Sequence, residues 1–265
     1  MEDVEIFSDS LSTLYDHTSI TLSSDPGSTF AYTDGSATVH LKTPDTKPEN
    51  WSLHASSVWI SATFLADHIH LLDLDRYRHL RKTRVLELGA GAGLPGILLA
   101  KTRGDVQVVL SDYPDEGLIG ALIQNVASNI SDGSAHIVPY DWITGDVAPF
   151  YALSPDGFDV IIAADTLWNV DLHGAFLRSL ESLLRRDTIS SINLIAGLHT
   201  GRWTIHAFLK AVEDRRQFRL HRVVEIRANS GKETAPEERR WEVEREREEE
   251  SDRRAWVVSI IMGWR

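Results

Sequence analysis

The sequence predicts an α/β fold: a parallel sheet with helices on both faces, an antiparallel final strand pair, and a small N-terminal β-hairpin extension. Three observations predict it. Strand-length apolar runs alternate with helical segments from Val85 to Asp214, the pattern of strands joined by crossover helices. Phe158 to Ala164 is an apolar run of the kind that is buried on both faces of a sheet. The last two strand segments, Phe218 to Ile226 and Ala255 to Gly263, have no crossover helix between them, so an antiparallel pair is the natural arrangement.

The chain is 265 residues long and 42% apolar, enough for one α/β domain with additions and a sizeable core. We divide it into an arm and hairpin over residues 1–50 and a main domain over residues 51–265. Its formal charge of −12 argues against a surface that tracks nucleic-acid phosphates. The same charge suits a basic protein or a cationic small molecule. No apolar run approaches a membrane span, and Met1 to Ser10 lacks the basic start and apolar core of a signal peptide. A cytoplasmic monomer is the expectation. With no cysteine, disulfides, thiolate metal sites and a cysteine nucleophile are excluded.

Residues 1–27 are polar and end in the turn signal Ser24-Asp25-Pro26-Gly27. Phe30 to Thr33 and Ala37 to Leu41 flank Asp34-Gly35 and read as the hairpin. Lys42 to Asn50, with two prolines, is a connector. A helix is expected from Ser57, because Val58, Ala62, Leu65, Ile69 and Leu72 recur at helical spacing. Trp59 lies beside that stripe, and on periodicity it reads as core. Val85 to Leu88 is a strand, followed by a turn with Gly89, Gly91 and Gly93, a short helix, and a second strand ending at Asp112. Asp115 to Asn129 is a crossover helix, and Ala135 to Val138 a third strand leading into Tyr140-Asp141-Trp142.

The buried strand ends at Asp165-Thr166-Leu167-Trp168. Leu172, Phe176, Leu180 and Leu183 then mark an amphipathic helix, with Arg185 and Arg186 suited to its C-terminus. Ile189 to Gly197 is the fifth strand and Gly201 to Asp214 the next helix. Residues 228–254 form a charged insertion in which Glu249/Arg253 and Glu250/Arg254 stand at helical spacing. It reads as a solvated, partly helical loop, with a lid or docking element as the sharper alternative.

The glycine turn carries the chemistry. Glycines after a strand let the backbone come close to a ligand, and an acid at the tip of the next strand can accept from ribose hydroxyls. Two readings compete: Gly91, Gly93 and Gly96 have dinucleotide spacing, whereas Glu87, Gly89, Gly91 and Gly93 fit an S-adenosylmethionine turn. Charge separates them. Glu87, Asp112, Asp141 and Asp165 fall near strand ends, and no lysine or arginine lies between Arg84 and Leu99. Such a cleft repels a pyrophosphate and suits a sulfonium.

VLELGAGAGLPG followed by SDYP resembles the seven-strand class I methyltransferases. With SSVWISATFLADHI, YDWITGD, DTLW and the terminal WVVSIIMGWR, the chain more narrowly resembles their lysine-methyltransferase-like branch, the nicotinamide N-methyltransferase-like or elongation-factor methyltransferases. The resemblance implies a Rossmann-like seven-strand methyltransferase sheet and S-adenosylmethionine as cofactor. It implies that Trp59 touches the methionine end of the cofactor. Asp141 would accept from the adenine amino group while Trp142 covers the ring; otherwise the pair is a turn acid and a buried tryptophan. Glu87, Gly89, Ala90, Gly91, Asp112, Tyr113 and Ala164 complete the cofactor set.

Asp165 and Trp168 are the catalytic candidates. Asp165 would hold an amine and Trp168 wall the pocket, although the resembling enzymes carry tyrosine or phenylalanine there. Asp165 as a helix N-cap before Leu167 is the alternative. Asn169 and His199 are substrate-binding candidates, and His199 reads either as a proton acceptor or as a structural residue. His68 and His70, two apart on a helix, diverge, so no metal is expected. Methylation of a protein amine, a lysine or an N-terminus of a protein such as a translation elongation factor, is the expected function. A small-molecule N-methyltransferase and a non-catalytic cofactor-binding module are the alternatives.

Overall fold

A computed structural model describes residues 27–35, 37–45, 57–77, 82–228 and 236–265. Residues 1–26, including most of the first turn signal, and residues 46–50 of the connector lie outside the described residues. At the centre stands β3 (Thr83–Leu88), whose side chains alternate between two apolar clusters. Leu86 and Leu88 belong to one cluster and Val85 to the other, as the two-residue period of a strand requires. Beside it run β4 (Val106–Asp112) and β5 (Ala135–Pro139) on one side, β6 (Val160–Ala164) and β7 (Ser191–Gly197) on the other, all parallel.

The sheet closes as the missing crossover implies. β10 (Trp256–Trp264) lies between β7 and β8 (Phe218–Arg227), antiparallel to both. An eighth strand, β9 (Glu238–Arg240), pairs antiparallel with β8 at the edge, giving the order β5-β4-β3-β6-β7-β10-β8-β9. That strand was not expected: three charged residues carry no periodicity, and the partner strand alone makes them extended.

Five helices expected from the sequence are present: α1 (Ile60–Asp67), α2 (Leu94–Thr102), α3 (Glu116–Asn129), α5 (His173–Leu183) and α6 (Arg202–Arg215). Between α3 and α5 comes a short α4 (Ala148–Leu153), which the sequence reading missed. Phe64, Leu98 and Leu122 place α1, α2 and α3 on one face with Val39 and Leu41 of the hairpin; Phe176 and Phe208 place α5 and α6 on the other.

The hairpin pairs β1 (Thr29–Asp34) with β2 (Ala37–Lys42), as expected. Its free edge is met by asparagines rather than by a strand. The Asn125 side chain accepts from the Lys42 N–H at 2.7 Å and donates to the Lys42 carbonyl at 2.8 Å. Asn129 does the same for His40, at 3.0 and 2.7 Å. One turn of α3 thus mimics a strand edge and satisfies backbone groups that water would otherwise hold.

Three expectations are corrected. The helix begins at Ile60 rather than Ser57, because Trp59 is extended (φ −81°, ψ 156°) and serves as its N-cap. Beyond Asp67 the stripe continues in short 3-10 turns, Ile69–Leu72 and Leu74–Tyr77. Arg185 and Arg186 do not serve the end of α5. Leu184 is extended and bridges to Phe158, which turns Arg185 to Asp159 (3.2 Å) and lays Arg186 over the Trp264 ring at 3.7 Å. Among the described residues of the insertion only α7 (Glu250–Arg254) is α-helical; Arg254 pairs with Glu250 as expected, but Arg253 reaches Glu246 instead of Glu249. Among the described residues no helix is long and apolar enough to cross a membrane.

Candidate active site

The turn between β3 and α2 is left-handed at three glycines, Gly89 (φ 68°), Gly91 (54°) and Gly93 (83°), a conformation costly to any residue with a Cβ. It is pinned by two acids. Asp112, at the end of β4, accepts from the N–H groups of Gly91 (2.6 Å) and Tyr113 (2.7 Å). Glu87, 1% exposed at the end of β3, accepts from the Gly96 N–H at 2.9 Å. A Cβ on Gly96 would collide with that carboxylate, which explains the fourth glycine without a dinucleotide. Burial pushes the Glu87 carboxyl up to about 8, against the Gly96 N–H and with the help of Asp112. Burial likewise raises Asp112 to about 6, against the N–H groups of Gly91 and Tyr113.

Over this turn lies a cavity of about 280 Å³. It gathers Trp59, Glu87, Gly89, Ala90, Gly91, Asp112, Tyr113, Asp141, Trp142, Ala164, Asp165, Trp168 and His199. Asn169 is not in the lining; its side chain caps the 3-10 turn Val170–Leu172 by accepting from the Asp171 N–H. Sequence reasoning missed Val58, Ala62, Tyr140, Ile143, Thr166 and Leu172, which also line it. Thr166 is informative among these, because its hydroxyl is buried with no hydrogen-bond partner. Its position inside Asp-Thr-Leu-Trp was the available signal.

The strand ends determine what each side chain offers. Asp141 accepts from the Ile143 N–H (2.8 Å) and the Thr144 hydroxyl (2.7 Å), so it shapes its own turn while facing the cavity. Trp142 packs on Phe176 with ring centroids 4.7 Å apart. Asp165 follows β6 in a left-handed conformation (φ 56°). Its Oδ1 accepts from the Gly197 N–H at 2.7 Å, while Oδ2 is buried without a partner. No helix is capped by Asp165; it joins the ends of β6 and β7. The His199 ring stacks on Trp59 at 4.9 Å and 20°.

The lining is unfavourable to a pyrophosphate. It holds the carboxyl groups of Glu87, Asp112, Asp141 and Asp165 and no lysine or arginine. Several donors near this helix N-terminus are already used or missing: Gly91 in the turn serves Asp112, Gly93 serves the Ala90 carbonyl, Gly96 serves Glu87, and Pro95 has no N–H. The residues fit a nucleoside bearing positive charge.

Beyond His199 the wall is braced by the insertion. Arg202, at the start of α6, is fully buried and forks onto Glu225 through Nε (2.7 Å) and Nη2 (2.9 Å). Arg239 binds Glu225 and Glu248, each at 2.7 Å, and Glu248 returns to Arg202 at 3.0 Å. Glu246 accepts from the Arg202 N–H. The described part of the insertion is therefore bound to the site wall through a network centred on the buried Arg202–Glu225 pair rather than freely solvated, a role that its charge content did not reveal.

Residues 46–215 match a family described as lysine methyltransferase. The protein N-terminal and lysine N-methyltransferase efm7 of Emericella nidulans is 36% identical over 113 residues, covering 38% of this chain and 43% of that relative. EEF1A lysine methyltransferase 3 of Xenopus tropicalis is 28% identical over 155 residues, covering 58% and 62%. The chain spans about half the length of the curated relatives it matches. Among solved structures, the mitomycin 7-O-methyltransferase MmcR superposes with a TM-score of 0.52 at 14% identity, covering 83% of this chain and 58% of that one, a likeness of fold. The glycine turn, the acids at successive strand ends and the match over residues 46–215 agree, and the chain belongs to the lysine methyltransferase family.

Proposed function

We propose that this protein is an S-adenosylmethionine-dependent N-methyltransferase acting on a protein amine. The carrying observation is a cavity lined by four carboxyl groups and no basic side chain, one of the four being Asp165, whose Oδ2 is buried without a hydrogen-bond partner. Asp112 is at the strand tip suited to ribose hydroxyls, Asp141 and Trp142 to the base, and Glu87 to positive charge at the methionine end. When bound, S-adenosylmethionine would supply an electrophilic methyl group to the lone pair of the amine, with its sulfur as the leaving group. Asp165 holds the amine through Oδ2, and the Trp168 ring faces the cationic nitrogen. Trp59 and Trp142 exclude water from the reacting centre.

A protein rather than a small substrate is supported by an exposed apolar side chain in the cavity lining and by two more in segments that follow lining residues in sequence. Ile143 in the lining is 62% exposed, and Val170 and Trp203 in neighbouring segments are 50% and 61% exposed. The name of the Xenopus tropicalis relative makes EEF1A the first substrate to test. Purified protein is incubated with labelled S-adenosylmethionine and fractionated lysate, and the modified atom is mapped. Label on a lysine or N-terminal nitrogen of a protein is expected. Label confined to small molecules refutes the protein substrate, and binding of a nicotinamide dinucleotide instead of S-adenosylmethionine refutes the enzyme class.

A further inference from the structure

An amine at neutral pH arrives as an ammonium, with no lone pair to give. Asp165 attracts that ammonium but, by stabilising the charged form, opposes loss of its proton. A second group has to take it. We propose that His199 is that group, accepting the proton on Nδ1, with Asp165 as its charge partner; this rests on the methyl-transfer reading above.

The geometry points to His199 from several sides. Its Nδ1 is buried and has no hydrogen-bond partner, and the same is true of Asp165 Oδ2. Nδ1 stands 3.8 Å from Asp165 Oδ1, too far for a hydrogen bond but close enough for one nitrogen to address both residues. Gly197 keeps that approach open: a Cβ there would lie 2.9 Å from His199 Nδ1 and 3.0 Å from Asp165 Oδ1. The stack on Trp59 holds the ring plane. In the step, an N–H bond of the ammonium breaks, its electron pair stays on the amine nitrogen, and the proton bonds to the Nδ1 lone pair. The imidazolium so formed lies against the Asp165 carboxylate, which offsets its charge. The other titratable groups lining the cavity are Glu87, Asp112, Asp141, Tyr113 and Tyr140.

The test is His199→Asn, which keeps a polar atom near Nδ1 but cannot take a proton. With the acceptor that the wild-type protein methylates, the variant should lose roughly 10²- to 10⁴-fold in rate near pH 7. The deficit should shrink as pH approaches the amine's own pKa, about 10.4 for lysine. Its affinity for S-adenosylhomocysteine should stay unchanged, which reports a folded site. Independently of turnover, n-butylamine added to wild-type protein saturated with S-adenosylhomocysteine should shift the His199 Nδ1 resonance in nitrogen NMR. A variant with wild-type rate and pH profile overturns the proposal, as does butylamine binding that leaves Nδ1 unmoved. Failure of the wild-type protein itself to bind S-adenosylhomocysteine removes the functional reading instead, and this inference with it.

Discussion

The guanidinium of Arg202 and the carboxylate of Glu225 are both fully shielded from solvent and face each other through two hydrogen bonds of 2.7 and 2.9 Å. The pair joins the start of α6 to β8, and through Arg239 and Glu248 it holds the insertion beside the site. Removing Arg202 leaves the buried Glu225 carboxylate with Arg239 as its remaining basic partner and takes from Glu248 one of its two arginines. Arg202→Met should therefore cost about 3–5 kcal/mol, lowering the melting temperature by on the order of 10 °C. Adding Glu225→Leu should recover part of this, because Arg239 and Glu248 still pair with each other. Equal melting temperatures for the wild type and Arg202→Met would show that the pair contributes nothing.

Glu87 sets a pH dependence whose sign follows from burial. Its carboxyl rises from the usual 4.5 to about 8, and that of Asp112 from 3.8 to about 6. Between those values the folded chain keeps protons that the unfolded chain has released. Stability of the ligand-free protein should thus fall as pH rises from about 4 to about 8. Affinity for a cationic ligand should rise over the same range as the acids ionise. Glu87→Gln should flatten both curves above pH 6; thermal melts and calorimetry of S-adenosylmethionine binding measure them. Curves parallel to wild type would acquit the buried carboxyl.

Asp165 permits a clean substitution. Asparagine tolerates the left-handed backbone at φ 56° and can still accept from the Gly197 N–H. Asp165→Asn should therefore fold normally and bind S-adenosylhomocysteine as before. Without the charge that holds the amine, methyl transfer should drop about 10²-fold or more. Initial rates with the mapped acceptor decide it, and unchanged turnover would remove Asp165 from the mechanism.

Asn125 predicts a local weakness. It is buried and makes hydrogen bonds to both backbone groups of Lys42 and to the Ala92 carbonyl. Asn125→Ala should cost about 1–3 kcal/mol by leaving those groups unpaired. Amide exchange at Lys42 should accelerate before that of the central strands. Uniform acceleration across β3 and β6 would mean that the hairpin is not a separate unit of stability.

The physical reason for what could be read is period and steric demand. Val85 to Leu88, Val106 to Asp112 and the Val160–Ala164 run had to be strands, since few other elements bury such runs. Three glycines after the first of them pointed to a tight turn, which the structure makes left-handed, and acids at successive strand ends are the ground for the cationic ligand proposed above. Those local features determined the parallel part of the sheet and the turn. Tertiary structure alone decided the rest, because a partner distant in sequence leaves no periodic trace. Glu87 meets Gly96 only 9 residues on, but Asn125 meets Lys42 across 83 residues and Arg202 meets Glu225 across 23. Likewise, Asp165 and His199 come to 3.8 Å only because β6 and β7 lie side by side. An arginine after a glycine looks solvated in any sequence; only the sheet edge, the insertion and two glutamates together make it a buried strut.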